Sequence, residues 1–149
     1  MDPKKLVARR EGLVTAELLN HYQFTVSKRI QLNGRATLVV EFKPRDNPAP
    51  AKGIRDRVLN RIAGTLWVDE EDGELAKVSA RLTETISMGW FGWMGSLSQC
   101  ELALDRQRMP DGVWVNTKQL WSLQFRRLTT TTHIRVTETS NGFRRIDSK

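Results

Sequence analysis

Asn33-Gly34 sits between two runs in which apolar residues recur at every second position. Tyr22, Phe24, Val26, Ile30 and Leu32 precede it, interrupted only by Lys28, and Ala36, Leu38, Val40 and Phe42 follow. A period of two belongs to a half-buried strand, whose successive side chains point to opposite faces. Asn and Gly both tolerate the positive φ that a two-residue type I′ turn demands, so the stretch predicts a β-hairpin. Ala63 to Leu82, AGTLWVDEEDGELAKVSARL, predicts a second one. Leu66 and Val68 share a face of its first strand, and Ala76, Val78, Ala80 and Leu82 share a face of its second. Its turn, Glu70-Glu71-Asp72-Gly73, is expected to be solvated.

The rest of the chain reads as more strands beside these pairs. Asp2-Pro3 suits a helix start, with Asp as the cap and Pro at the first helical position, so Lys4 to Glu11 and Leu13 to Asn20 are helix candidates. Three prolines between Pro44 and Pro50 rule out a central strand and predict an extended loop. Ile54, Val58, Leu59 and Ile62 would line one side of a short helix. Thr85 to Leu97, TISMGWFGWMGSL, carries no charge and is broken by Gly89, Gly92 and Gly95, which makes it a poor regular strand or helix. Ser98 to Asp105 alternates again, and Met109-Pro110-Asp111-Gly112 is a turn. Trp114 to Leu128 is a long strand whose apolar face changes parity, from Trp114 and Leu120 to Trp121, Leu123 and Phe125. A β-bulge between Thr117 and Leu120 would account for that change. Thr130 to Thr139 is a last strand, with Ile134 and Val136 inward. The expectation is seven strands in a meander. The fold is one mainly antiparallel β domain (α+β) over residues 1–149, with a strongly twisted sheet and one or two helices against its concave face.

Several functions are disfavoured by what the chain lacks. Its 149 residues suit one domain with a real core, and 39% hydrophobic with 28% charged residues argues against disorder. No apolar run approaches the ~20 residues of a membrane-crossing helix. The first residues, MDPKKLVARRE, contain no sustained apolar stretch of a signal peptide, so the protein is either cytoplasmic or a mature or shortened chain. Cys100 is the single cysteine, which precludes an internal disulfide. The net charge of +7 is spread over separate pairs such as Arg9-Arg10, Arg126-Arg127 and Arg144-Arg145, without the basic stripe or motif of a nucleic-acid binder. His21 and His133 have no Cys or carboxylate at metal-ligand spacing, so no metal site is expected. There is no GxSxG elbow and no phosphate loop. Cys100, on a strand face, reads as a small core residue. The chain therefore reads as a non-enzyme with no cofactor.

One feature asks for a function. Trp90, Phe91, Trp93 and Met94 lie between glycines in a segment too irregular for ordinary sheet. They are read as a hydrophobic lip that closes on a ligand, a lipid or a partner protein, or as a loop that plugs the open side of the sheet. Trp67, Trp114 and Trp121 fall on strands as core or sheet-face residues. Trp67 and Trp121 are added to the candidate apolar-binding set.

The order of these features resembles a known class. An Asn33-Gly34 hairpin and a strand ending VEFKP (Val40 to Pro44) lead to a proline-rich stretch and a short helix. Then come AGTLWVDEEDGELAKVSARL, a glycine-rich apolar connector and long strands with GVWVNTK near their start. This is similar to the LolA/LolB-like class of periplasmic lipoprotein-sorting carriers, over roughly Tyr22 to Thr137. The resemblance implies an incomplete β-barrel: a strongly curved antiparallel sheet wrapped around helices, with an apolar cavity that shelters a lipid or a lipoprotein acyl chain. It also implies a periplasmic or outer-envelope location and a lipid or lipidated protein as partner. The chain departs from the class in having few residues before Tyr22, where further strands and a helix are usual. No functional residue of the carriers maps onto it one for one. A protein-interaction domain of an envelope protein, with no ligand cavity, is the alternative expectation.

Overall fold

The structure is a computed structural model that describes residues 20–89 and 93–144. The predicted helix over Lys4 to Glu11, all but the last residue of the one over Leu13 to Asn20, and the residues Trp90 and Phe91 lie outside that range. The described chain runs β1 (Tyr22–Leu32), β2 (Arg35–Pro44), α1 (Ile54–Leu59), β3 (Ile62–Asp69), β4 (Leu75–Leu82), β5 (Ile86–Met88), β6 (Gly95–Arg108), β7 (Trp114–Arg127) and β8 (Thr130–Thr139). All strands belong to one antiparallel sheet in the order β1-β2-β3-β4-β6-β7-β8, curved and unclosed, with β5 paired to the start of β6. The described strands number eight where alternation predicts seven. The added one, β5, is three residues long, too short to show a period, and pairing Ile86 with Leu97 and Met88 with Gly95 makes it a strand.

The predicted first hairpin is present. Leu32 pairs with Arg35, and the turn between them has φ of 51° at Asn33 and 76° at Gly34. Its faces differ from the simple alternation. Val26 pairs with Val40 but Lys28 pairs with Val39, so Ser27 is a bulge. One extra residue inverts the parity of everything beyond it. Tyr22, Phe24 and Val26 share the face of Val40, whereas Ile30, opposite Thr37, lies on the other. Val26, expected to be covered, is exposed.

Three more bulges follow the same logic. The register shifts at Ala76 in β4, at Ser98 in β6 and at Thr117 in β7, the last inside the interval where the parity change predicted one. It places Trp114 and Trp121 on the same face despite their opposite parity, while Leu120, opposite Ala103, faces the other way. At Ala76 the shift makes Leu75 join Val78 against the core. Three bulge residues carry hydroxyls, and each donates to a carbonyl of the neighbouring strand: Ser27 to Val39 O at 3.3 Å, Ser98 to Gln124 O at 3.2 Å and Thr117 to Asp105 O at 3.1 Å. A bulge interrupts the ladder and leaves backbone groups to be satisfied some other way. At the fourth, the Leu75 carbonyl accepts from Arg106 at 3.1 Å. Bulges also bend and twist the strands that carry them, which helps curl the sheet.

The core lies on the concave face in two clusters. Val40, Leu66 and Val68 form one, with Phe24, Leu38, Phe42, Leu75 and Val78 packed against them. Ile86, Leu97 and Cys100 form the other, with Val58 of α1, Leu82, Leu123 and Phe125. The helix is six residues long and ends before Ile62, which opens β3 instead of continuing it. It is held at one end of the concave face by Val58 against the second cluster, by the Tyr22 hydroxyl donating to Leu59 O at 2.8 Å and by Arg57 donating to Ser87 O of β5.

The other end is held by charge. The turn after β3, expected to be solvated, is wrapped by arginines from three strands. Arg35 of β2 grips buried Asp69 through Nε and Nη2, at 2.5 and 2.9 Å, and lies 3.2 Å from Glu71 and 3.4 Å from Asp72. Arg29 of β1 bonds Glu70 at 2.7 Å. Arg108 of β6 and the Trp114 indole of β7 both donate to Asp72, at 2.6 and 2.9 Å, and Arg106 bonds buried Glu74 at 3.1 Å. Burial pushes the Asp69 carboxyl up, but hydrogen bonds from Arg35 and from the Asp72 amide outweigh it and hold its pKa below the usual carboxylate value. Asp72 is held low chiefly by the Trp114 and Arg108 hydrogen bonds. Acidic turn and basic strands are thus one network, and it locks β1 to β4 against β6 and β7.

Candidate apolar groove

Alternation supplies each strand with an apolar side, and the curl of the sheet brings those sides together. Phe24 on β1 and Trp121 on β7 are five strand steps apart, ~24 Å in a flat sheet. Here both line one recess of about 230 Å³. Phe42, Leu66, Val78, Ala80, Leu102 and Leu104 form its floor and walls, and Leu59 of α1 overhangs one end together with Tyr22. A second, wider recess of about 560 Å³ lies on the same face toward β8, between Ile54, Met88, Leu97, Leu123, Phe125 and Ile134. Cys100 and Leu123 are cross-strand partners, one in each recess, so the two adjoin.

The polar atoms on these walls are few and mostly occupied. The Tyr22 hydroxyl is committed to Leu59 O, and burial pushes its pKa up to about 12. Burial, followed by the neighbouring charge of Glu101, also raises the Cys100 pKa and keeps it a thiol. Tyr22, Phe24 and Phe42 meet at aromatic angles, with Tyr22 edge-on to both. Such walls bind by excluding water: each methylene they cover contributes about 0.8 kcal/mol, so six give roughly 5 kcal/mol before the costs of ordering. Toward β8 the face is open. Trp121 is 42% exposed, and Ile134 and Val136 are about half exposed although both point to the concave side.

The sequence-derived binding residues divide by position. Trp121 stands on the groove wall, as expected. Trp67 pairs with Val39 and lies on the convex face, with Lys77 Nζ 5.2 Å from its ring centroid, so it takes no part in lining the groove. Trp93 and Met94 sit at the turn between β5 and β6, and their neighbours Met88 and Leu97, not they, line the wider recess. Trp114 is drawn into the charged network at the opposite end. Phe24, Phe42, Leu102 and Leu104 were missed as binding residues. Alternation put each on an apolar face, but no local signal says which faces converge.

Among the described residues no three His, Cys, Asp or Glu side chains are grouped to hold a metal ion. His21 Nδ1 bonds Asn60 Oδ1 at 3.0 Å, and His133 lies on exposed β8. No described helix is long and apolar enough to cross a membrane. Compared with known proteins, the chain matches no family model, no curated protein and no solved structure.

Proposed function

We propose that this protein is a non-enzymatic binding protein for an apolar ligand, a lipid or an acyl chain, which it carries or senses by holding it in the groove of its curved sheet. The observation that carries this reading is the groove itself: a recess on the concave face, walled by aliphatic and aromatic side chains from six strands, and open toward β8. Openness suits a carrier, which must release what it binds. The resemblance to the LolA/LolB-like class supports the same ligand chemistry and adds a periplasmic location to the proposal. Native mass spectrometry of the purified protein should show a co-purified lipid, and a fluorescent fatty-acid probe should bind and be displaced by unlabelled fatty acid. Absence of both would end the reading.

A second reading, an interaction domain of a cell-envelope protein, is favoured by one observation. Among the described residues, strand β8 ends the sheet, and it is exposed along all ten of its residues. A long unpaired edge is a template for adding a strand from another chain. If no lipid binds, while introducing proline at Arg135 abolishes association with a partner, that reading replaces the first.

A further inference from the structure

Trp93 and Met94, just before β6, and the turn between β7 and β8 lie at the same end of the sheet. Strand β6 begins at Gly95 and β7 ends at Arg127, with Ser96 paired to Arg126, so the β5–β6 turn and the β7–β8 turn are neighbours. The contact is close: a Cβ on Gly95 would lie 2.6 Å from Arg126 O and 3.3 Å from Arg127 Cγ. Each turn ends in bulky apolar side chains held out in solvent. Trp93 is 76% exposed, Met94 63% and Leu128 84%. Single exposed hydrophobes are ordinary on a protein surface. Three on adjoining turn tips, at the end of the molecule farthest from its charged network, are a surface.

The charge around these tips has one dominant sign. Arg126 and Arg127 precede Leu128, and because they are consecutive strand residues they point to opposite faces, one to either side of the tips. Arg57 of α1 reaches the Ser87 carbonyl of β5, and Arg55 lies on the same helix. No acid occurs from Thr85 to Leu97 or from Arg126 to Thr137. Of the acids on neighbouring elements, Glu84 before β5 lies 3.4 Å from Arg61, and Asp56 of α1 accepts from the Lys52 amide at 3.0 Å. A flat protein partner would meet two separate protrusions. A lipid surface accommodates them, because tips enter the acyl boundary while a surrounding ring of arginines stays with the headgroups. An indole is the side chain best suited to that boundary.

We infer that the β5–β6 and β7–β8 tips dock this protein on an anionic lipid membrane, with Trp93, Met94 and Leu128 inserted and Arg126 and Arg127 at the headgroups. Trp93, Met94, Leu128 and Arg126 are distinct from the groove walls, so the inference stands whether or not the groove takes a ligand. Arg127 and Thr130 also rim the wider recess, so the docked face is the one onto which the groove opens.

Vesicle flotation tests this directly. The protein should float with vesicles of phosphatidylcholine and phosphatidylglycerol, bind vesicles of phosphatidylcholine alone far more weakly, and be released by salt. Trp93→Ser with Leu128→Ser, and separately Arg126→Glu, which lines neither recess, should each weaken binding about tenfold or more, with melting temperature and fatty-acid probe binding unchanged. Brominated lipid should quench tryptophan emission in the wild-type protein and less in a Trp93→Phe variant. Failure of the wild-type protein to float with the anionic vesicles, or flotation of both variants at the wild-type level, would overturn the inference. Loss of probe binding alone would count against the groove and leave the docking surface standing.

Discussion

Replacing Trp121 by serine separates binding from folding. The indole sits on the groove wall between Leu102 of β6 and Val136 of β8, and 42% of the residue remains in water. A tryptophan side chain buries ~150–250 Å² when fully covered, so a ligand that closes over the exposed part removes roughly 60–100 Å² from water. At ~25 cal/mol per Å² that surface contributes about 1.5–2.5 kcal/mol to binding. Since ~1.4 kcal/mol is tenfold in Kd, Trp121→Ser should weaken a fatty-acid probe by about 10- to 60-fold. The part already buried bears on stability. Emptying a fully covered aromatic site costs about 3–5 kcal/mol, and a site little more than half covered should cost roughly 2 kcal/mol. Trp67→Ser is the control, because Trp67 lies on the convex face beneath Lys77; it should lower stability and leave Kd alone. Probe titrations on the folded protein, paired with urea denaturation, measure both quantities. If Trp121→Ser lowers stability with Kd unchanged, or if Trp67→Ser weakens the probe equally, the groove is not the binding site.

Gly34→Val tests the first hairpin: φ is +76° and nothing lies within 4 Å of the added Cβ, so only the backbone penalty remains, about 1–2 kcal/mol by urea denaturation. An unchanged midpoint would contradict the type I′ turn. Gly64→Ala should be far worse, since its Cβ would fall 2.0 Å from Ser79 O and 2.8 Å from Ala80 Cα, both backbone atoms of β4. The strands would have to part, and an unfolded or strongly destabilised product is expected by circular dichroism. The acidic turn makes stability depend on pH. The pKa values of Asp69 and Asp72 are depressed in the folded protein, so their contribution is present above the unfolded value of ~3.9 and lost as pH falls through the folded values. Urea midpoints should fall steeply below about pH 4, and less steeply in Asp69→Asn; equal slopes would refute the role of the Arg35 pair. Ser98→Ala removes the hydroxyl that bonds Gln124 O across a bulge and should cost about 1 kcal/mol in the same assay; no loss would show that water replaces it.

The sequence by itself determined the local geometry. Asn33-Gly34 specified a turn because few other residue pairs accept two positive φ angles in succession. Alternation located the strands because side chains on an extended backbone must face opposite ways. The parity change between Trp114 and Trp121 even placed a bulge between Thr117 and Leu120, the interval that holds it. The bulges at Ser27, Ala76 and Ser98 were not read, although Lys28, next to Ser27, interrupts its apolar run. A serine in a strand is compatible with either face, and only the carbonyl across the ladder makes its hydroxyl a bulge contact. Strand β5 is likewise too short to announce itself without Gly95 to Leu97 beside it. The acidic turn looked solvated because its arginines come from β1, β2 and β6, up to tens of residues away in the chain. The groove is the most non-local feature of all. Each wall residue shows its side of a strand, but Phe24 and Trp121 meet only after four bulges and the sheet's twist have curled β1 toward β7. Faces are a property of neighbours in sequence; a cavity is a property of curvature, which the tertiary structure alone decided.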